Sequence, residues 1–324
     1  MSWSARSTAA ASELPPPRPA PTGMFFLTGS DILTYWASER ANKHQEKAVK
    51  ILAPAKINIG LRIIRKRSDN YHDIQTVFYP IHLSDELEIV KADRHEFYSN
   101  IKLDDDANLC LRALDFFCER TGINAEVKMV LKKNIPVGAG LGGGSSDAAA
   151  VLLALQDIYG HPLCEIELLN IAEQLGSDVP FFLKKAPAYA TGKGEMIEPL
   201  KYRLNAFILT VTPDVGVSTP LAYSLVTPSG EKAESLREVL LGLGDEIHRY
   251  KDTVVNDFEK PVFGKFPVIG QIKSEMYASG ADFALMSGSG SSVYGFFRTR
   301  PDAESALEAL RGRFILRAGD ITAP

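Results

Sequence analysis

Five of the seven residues from Gly138 to Gly144 are glycine, and a helix-forming run follows at once. The stretch reads Pro136-Val137-Gly138-Ala139-Gly140-Leu141-Gly142-Gly143-Gly144-Ser145-Ser146-Asp147, then Ala148 to Tyr159. Few folds accept so much backbone freedom, because each glycine costs conformational entropy on folding. What glycine offers in return is close approach of backbone to a ligand. Successive N–H groups can cradle an anion, and a helix N-terminus adds free donors and the positive end of its dipole. The pattern predicts a phosphate-holding loop, with Ser145 and Ser146 capping the helix or donating to phosphate oxygens. Asp147 has two open readings, a magnesium ligand or a carboxylate favouring the helix N-terminus. No GK[ST] ends the run, which excludes a Walker loop. Gly138, Gly140 and Gly143 fit GxGxxG, but no second strand ending in an acid follows about twenty residues on; Asp157 stands near that distance inside the helix.

The chain around this loop is patterned from about Val49 onward. Ile51 to Ile64 reads as a strand, ending in the charged turn Arg65 to Asn70. Strands are expected at 74–81, 85–91 and 125–131, and helices at 108–120, 145–159 and 165–175. After Lys201 a new unit follows: a strand at 205–212, helices near 233–247 and 268–279, a strand at 292–297 and a helix at 301–311. Helices and strands mix without a repeating βαβ period, which predicts α+β in two parts. The 324 residues agree, at roughly 150 residues per domain.

Residues 1–23 differ from the rest, being Ser/Ala-rich and then carrying Pro15, Pro16, Pro17, Pro19 and Pro21. Such a composition cannot pack a core and predicts disorder at least to residue 23. Arg6 without an acid in the first twelve residues leaves a transit peptide as an alternative. A short helix is expected within 24–47.

Composition removes several function classes. Lys+Arg 36 against Asp+Glu 40 gives a net charge of −4, against a dedicated nucleic-acid binder. No apolar run is long enough to span a membrane. Cys110, Cys118 and Cys164 form no CxxC and the six histidines no HExxH, so neither a disulfide framework nor a metal motif is expected.

Three further stretches carry candidate chemistry. In Pro54-Ala55-Lys56-Ile57-Asn58-Ile59-Gly60-Leu61 the strand period puts Lys56, Asn58 and Gly60 on one face. Taken alone, that face reads as solvated, and Tyr71-His72 reads as surface by the same logic. Asp178, between Gly176 and Pro180, is either an N-cap or a partly buried base. Met286-Ser287-Gly288-Ser289-Gly290-Ser291-Ser292 is a small-residue loop before a strand: a turn, or backbone laid against phosphates.

Together the PAKINIGL strand, the PVGAGLGGGSSDAA loop and the SGSGSS loop, in this order, resemble the GHMP kinase superfamily over about 51–297. Asn70-Tyr71-His72, Leu175 to Phe182 and Val255-Asn256-Asp257-Phe258-Glu259 are similar to its branch acting on a cytidine diphosphate-linked methylerythritol in non-mevalonate isoprenoid synthesis. The first fifty residues depart from that family. The resemblance implies a two-domain α+β fold, with an N-terminal domain like ribosomal protein S5 domain 2 and a ferredoxin-like C-terminal domain. The expected division is an extension at 1–48, an ATP-binding domain at 49–204 and a second domain at 205–324. It implies ATP and Mg²⁺ as cofactors, with no protein metal ligands assigned. Asp178 matches the general base, and Lys56 the lysine that keeps that carboxylate ionised and steadies the transferring group. Residues 136–146 would hold the ATP phosphates, and Asn108 and Lys133 would line the adenine pocket. Asn58, Tyr71, His72, Thr219 and Tyr223 match substrate-binding positions, with His72 reading the cytosine edge, Thr219 on a substrate phosphate and Tyr223 stacked on the base. The expected protein is a monomer or weak homodimer that meets only small molecules, in a bacterial cytoplasm or, with a transit peptide, a plastid stroma. Rival readings are a GHMP kinase for homoserine, mevalonate or a sugar, and a nucleotide-binding regulator on the same fold.

Overall fold

The computed structural model describes residues 24–26, 48–104, 108–230 and 234–324. The disorder and transit-peptide expectations for 1–23 lie outside the described residues. So does most of the helix expected within 24–47, where Met24–Phe26 instead forms a strand, β1.

The first sheet is organised by a long hairpin, β2 (Val49–Lys66) and β3 (His72–Lys91). The Arg67 N–H closes the turn on the Tyr71 carbonyl at 2.8 Å, and Asn70 takes a left-handed φ of 66°. β3 is one strand where two were expected. β2 pairs with it on both sides of an irregularity, Lys56 opposite Pro80 and Pro54 opposite Ser84, so the strand continues across 81–83. Strands β4 (Glu96–Ser99), β5 (Val127–Lys132), β6 (Ala188–Thr191) and β7 (Met196–Pro199) complete the order β1-β4-β5-β3-β6-β7, with β2 on β3. Helices α1 (Leu109–Thr121), α2 (Gly143–Tyr159), α3 (Glu165–Leu175) and α4 (Val179–Lys184) accompany this sheet.

The second sheet holds β8 (Phe207–Pro213), β9 (Phe283–Met286), β10 (Val293–Phe297) and β11 (Leu316–Thr322) in the order β11-β8-β10-β9, all antiparallel. Between β8 and β9 lie α5 (Thr219–Leu225), α6 (Leu236–Leu243), α7 (Glu259–Lys265) and α8 (Pro267–Ala278). Helix α9 (Arg300–Arg313) connects β10 to β11. Strand, helices, two strands, helix, strand in this order is the ferredoxin-like arrangement.

β2 feeds all three hydrophobic clusters, as β3 does through Phe78, Val77 and Ile74. Ala53 packs under the first sheet with Phe117 and Phe181. Ile57 and Ile59 join Phe283 and Tyr294 of the second sheet. Leu61 and Ile63 enter the core around Ile269 and Phe297. A register shift between Ile59 and Leu61, at Gly60 with φ 76°, lets β2 change partners without exposing apolar residues. The lysine face of β2 is not solvated either: the glycine loop closes over Lys56, and the Ser287–Gly288 loop over Asn58. A last link comes from β11. Arg317 donates to the carbonyls of Val137, Pro213 and Val215, tying the mouth of the glycine loop to the second sheet. Among the described residues, no helix is long and apolar enough to cross a membrane.

Candidate active site

A cleft of about 610 Å³ runs between the glycine loop, the β2–β3 hairpin and the start of α5. Its walls contain Pro136 to Ser145 together with Lys56, Asn58, Tyr71, His72, Asn108, Lys133, Asp178, Thr219 and Tyr223. Of the sequence-derived site residues only Ser146 is absent from the wall. Its hydroxyl is buried and makes no hydrogen bond. Helix α2 starts at Gly143, two residues earlier than expected, with Gly142 at the cap position. Ser145 and Ser146 thus sit inside the first turn and do not cap it.

The loop needs glycine where it meets its neighbours. Gly140 has φ 76°, and a Cβ there would run into the Ser287 carbonyl. Gly142 has φ 72°, and its Cβ would come within 2.8 Å of the Phe182 ring.

Lys56 projects from β2 to the foot of this loop. Its ammonium donates to Asn58 Oδ1 at 2.6 Å and to the Gly140 carbonyl at 3.0 Å, and stands 3.6 Å from Asp178 Oδ2. Burial lowers its pKa, and the Asp178 carboxylate pulls the other way. Asp178 does not cap α4: its backbone is helical and its side chain makes no cap bond. The carboxylate is 31% exposed, which leaves an oxygen open to the cleft. Asn58 lies in the wall, but its amide is committed to Lys56 and, at 2.8 Å, to Thr76 Oγ1.

Farther along, His72 is buried and stacks on Tyr223, centroids 4.9 Å apart at 21°. Burial, with help from Lys66, holds its imidazole below the usual range, so it is neutral at pH 7. Burial and the Asp178 carboxylate push the Tyr223 phenol up to about 12. Tyr71 is exposed at the rim, with Lys193 4.6 Å above its ring. The surface reading thus holds for Tyr71 and fails for His72, which the C-terminal half covers. Thr219 stands at the start of α5, 3.3 Å from Ser289 Oγ.

At the opposite end Asn108 caps α1, its Oδ1 accepting from the Cys110 N–H at 3.0 Å. Its Nδ2 is buried and makes no hydrogen bond within the protein. Lys133 reaches the wall, but its ammonium is committed to Asp85 and, at 2.6 Å, to Asp147. That pairing settles neither open reading of Asp147 in its favour: the carboxylate caps nothing and faces a lysine. Burial and nearby Asp85 push it up to about 7, against the pull of Lys133. Asp85 also accepts from Asn134 N–H and Ile135 N–H, so this ion cluster braces both ends of the glycine loop. Asp85 and Thr76 went unseen in the sequence, and Ser287 was seen only as part of a small-residue loop, because nothing local marks a polar residue as buried.

A glycine-lined anion cradle at a helix start, a lysine–aspartate pair at its foot and a ferredoxin-like partner together define a GHMP kinase. Residues 108–185 match the GHMP kinases N terminal domain, and residues 233–316 match GHMP kinases C terminal. A protein of Parabacteroides distasonis named 4-diphosphocytidyl-2-C-methyl-D-erythritol kinase is 46% identical over 247 residues, covering 75% of this chain and 89% of the relative. One of the same name from Chlorobaculum tepidum is 41% identical, covering 83% and 96%. A crystal structure of 4-(cytidine 5'-diphospho)-2C-methyl-D-erythritol kinase superposes with TM-score 0.73 at 36% identity, covering 85% of this chain and all of the other. A homoserine kinase from Cytophaga hutchinsonii, at 18% identity and TM-score 0.66, shares the fold. The chain belongs to the 4-diphosphocytidyl-2-C-methyl-D-erythritol kinase family.

Proposed function

We propose that this chain transfers the γ-phosphoryl group of ATP to the 2-hydroxyl of 4-diphosphocytidyl-2-C-methyl-D-erythritol, giving the 2-phosphate and ADP in non-mevalonate isoprenoid precursor synthesis. The observation that carries this reading is Lys56 and Asp178, 3.6 Å apart, in one cleft with the glycine loop and the His72–Tyr223 stack. Phosphoryl transfer asks mainly for positioning and charge stabilisation. The loop N–H groups from Gly138 to Ser145 hold the phosphates, and Lys56 places a cation beside the transferring group. Asp178 takes the proton of the attacking hydroxyl. His72, neutral, presents ring nitrogens to the cytosine edge, with Tyr71 and Tyr223 offering aromatic faces and Thr219 a hydroxyl for a substrate phosphate. Asn108 turns its unspent amide toward the adenine.

Among the described residues, no group of three or more His, Cys, Asp or Glu is set to cage a metal. Mg²⁺ is compatible with this donor set as an ion carried on the nucleotide, since it commonly keeps waters and substrate phosphates as ligands. There it neutralises phosphate charge. The two-part division at 49–204 and 205–324, a monomer or weak homodimer, small-molecule partners alone and a bacterial cytoplasmic setting belong to the same proposal. The two separate sheets support the first, and the bacterial relatives support the last.

ADP release with Mg-ATP and the cytidine compound, run beside homoserine, mevalonate and galactose, tests the reading. Turnover with the cytidine compound alone is expected. Turnover with another alcohol keeps the fold and loop but overturns the roles given to Tyr71, His72 and Tyr223. Nucleotide binding with no turnover on any acceptor favours a regulator.

A further inference from the structure

The stretch Val255 to Glu259 carried part of the resemblance, yet the proposed chemistry uses none of its polar groups. The structure shows what they hold. The Val255 carbonyl accepts from Leu61 N–H at 2.8 Å, and Asp257 N–H donates to the Leu61 carbonyl at 2.9 Å. Asp257 Oδ2 accepts from Ile63 N–H at 2.7 Å. These bonds fasten the segment to β2. Its other bonds go to the SGSGSS loop: Asn256 Nδ2 donates to the carbonyls of Met286 and Gly288, both at 2.8 Å, and Glu259 Oε1 accepts from Met286 N–H at 2.9 Å. Asn256 Oδ1 is taken by Phe258 N–H at 3.0 Å, so its amide orientation is fixed.

Ser287 is the residue delivered by this clamp. It is fully buried and outside the cleft wall. Its hydroxyl accepts from Asn58 N–H at 3.2 Å and donates to the Gly140 carbonyl at 2.9 Å. That carbonyl also receives the Lys56 ammonium at 3.0 Å. A carbonyl with two donors on its two lone pairs cannot swing, whereas one with a single flexible lysine can. The remaining direction of the ammonium points at Asp178. If Gly140 moved, Lys56 would follow it or close on the carboxylate, and either shift misplaces the cation for transfer.

We propose that Ser287, held in place by Asn256, is a positioning residue for the transfer step, its hydroxyl fixing the Gly140 carbonyl against which Lys56 is set. The inference rests on the reading of Lys56 as the cation of the transfer site.

The test is a double-mutant cycle of Ser287→Ala with Lys56→Ala, since residues acting as a unit are not additive. In the parent enzyme Ser287→Ala lowers kcat about tenfold, with KM for the cytidine substrate within about twofold. In the Lys56→Ala background the same change costs less than about twofold. An equal factor in both backgrounds, or an unchanged kcat, overturns the proposal. A readout without substrate runs beside it: acetic anhydride labelling of Lys56, read by mass spectrometry. Ser287→Ala lets the Gly140 carbonyl and the Lys56 side chain set against it move, and raises the labelling rate of the Lys56 amine at least about threefold; an unchanged rate overturns the proposal. Absent parent turnover would defeat the reading of the reaction, while the labelling still decides the role of Ser287. If Ser287→Ala does not fold, Ser287→Cys, of similar size and with a weak donor, replaces it in both measurements.

Discussion

The two ends of the cleft are built on opposite plans. At the transfer corner Lys56, Asn58, Thr76, Ser287 and the Gly140 carbonyl satisfy one another within the protein. At the far end Asn108 Nδ2, Ser146 Oγ and Asp147 Oδ1 are buried and make no hydrogen bond within the protein. A buried polar atom left unpaired costs about 1–3 kcal/mol, so the second plan is expensive in the free protein. The difference separates two tasks. A closed network holds reacting groups in one geometry before anything binds, at the expense of freedom to contact ligand. On the proposed reading, Asn108 Nδ2, which lies in the cleft wall, is the donor that the unclosed end keeps for a nucleotide.

Substitutions can break this contrast. Asp178→Asn removes the one carboxylate of the closed corner that opens to the cleft, and turnover should fall about 10²- to 10⁴-fold. Nucleotide affinity, followed by calorimetry, should stay within about twofold; a parallel loss of affinity would show that the two ends are not separate. Asn108→Ala strikes the unclosed end. It should raise KM for ATP about tenfold, near the 1.4 kcal/mol of one good hydrogen bond, with kcat little changed. A kcat effect larger than the KM effect would undo the division of labour. The smallest effect is a slope. Burial and nearby Asp85 push Asp147 from the ordinary carboxylate value of 3.8 up to about 7, so folding takes up a proton between those values. Stability from this source is full below pH about 4 and is lost as pH rises through about 7. The groups around it are Lys133, Asp85 and the Cys110 thiol, which burial pushes well up. Asp147→Asn should flatten the melting temperature between pH 4 and 7; an unchanged slope would place the titration on another group.

The sequence was most readable where local rules suffice. The helix expected at 165–175 is found at Glu165–Leu175, with Gly176 after it. The glycine loop lies where its composition required, and its match to GHMP kinases carried the two-sheet fold. What escaped was set by distant partners. β3 looked like two strands because its pairing with β2 cannot be seen from inside β3. The lysine face of β2 looked solvated because its cover, Gly140 over Lys56 and Ser287 beside Asn58, comes 84 and 229 residues later in the chain. The ion pairs of Lys133 escaped too, because Asp85, 48 residues upstream, gives no hint that it will meet the ammonium of a residue that also lines the cleft. Ser287 looked like part of a turn, or of backbone laid against phosphates, for the same reason.

Arg317 bears on the order in which the molecule becomes complete. Its guanidinium takes the Val137 carbonyl at the mouth of the glycine loop, 180 positions earlier in the chain. A ribosome releases the glycine-rich stretch long before it makes that arginine. Every nascent chain therefore passes through a period in which the cradle is spelled out but the side chain that tethers its mouth has not been synthesised. Emergence of β11, and not of the loop itself, marks when the bond from Arg317 to the mouth can form.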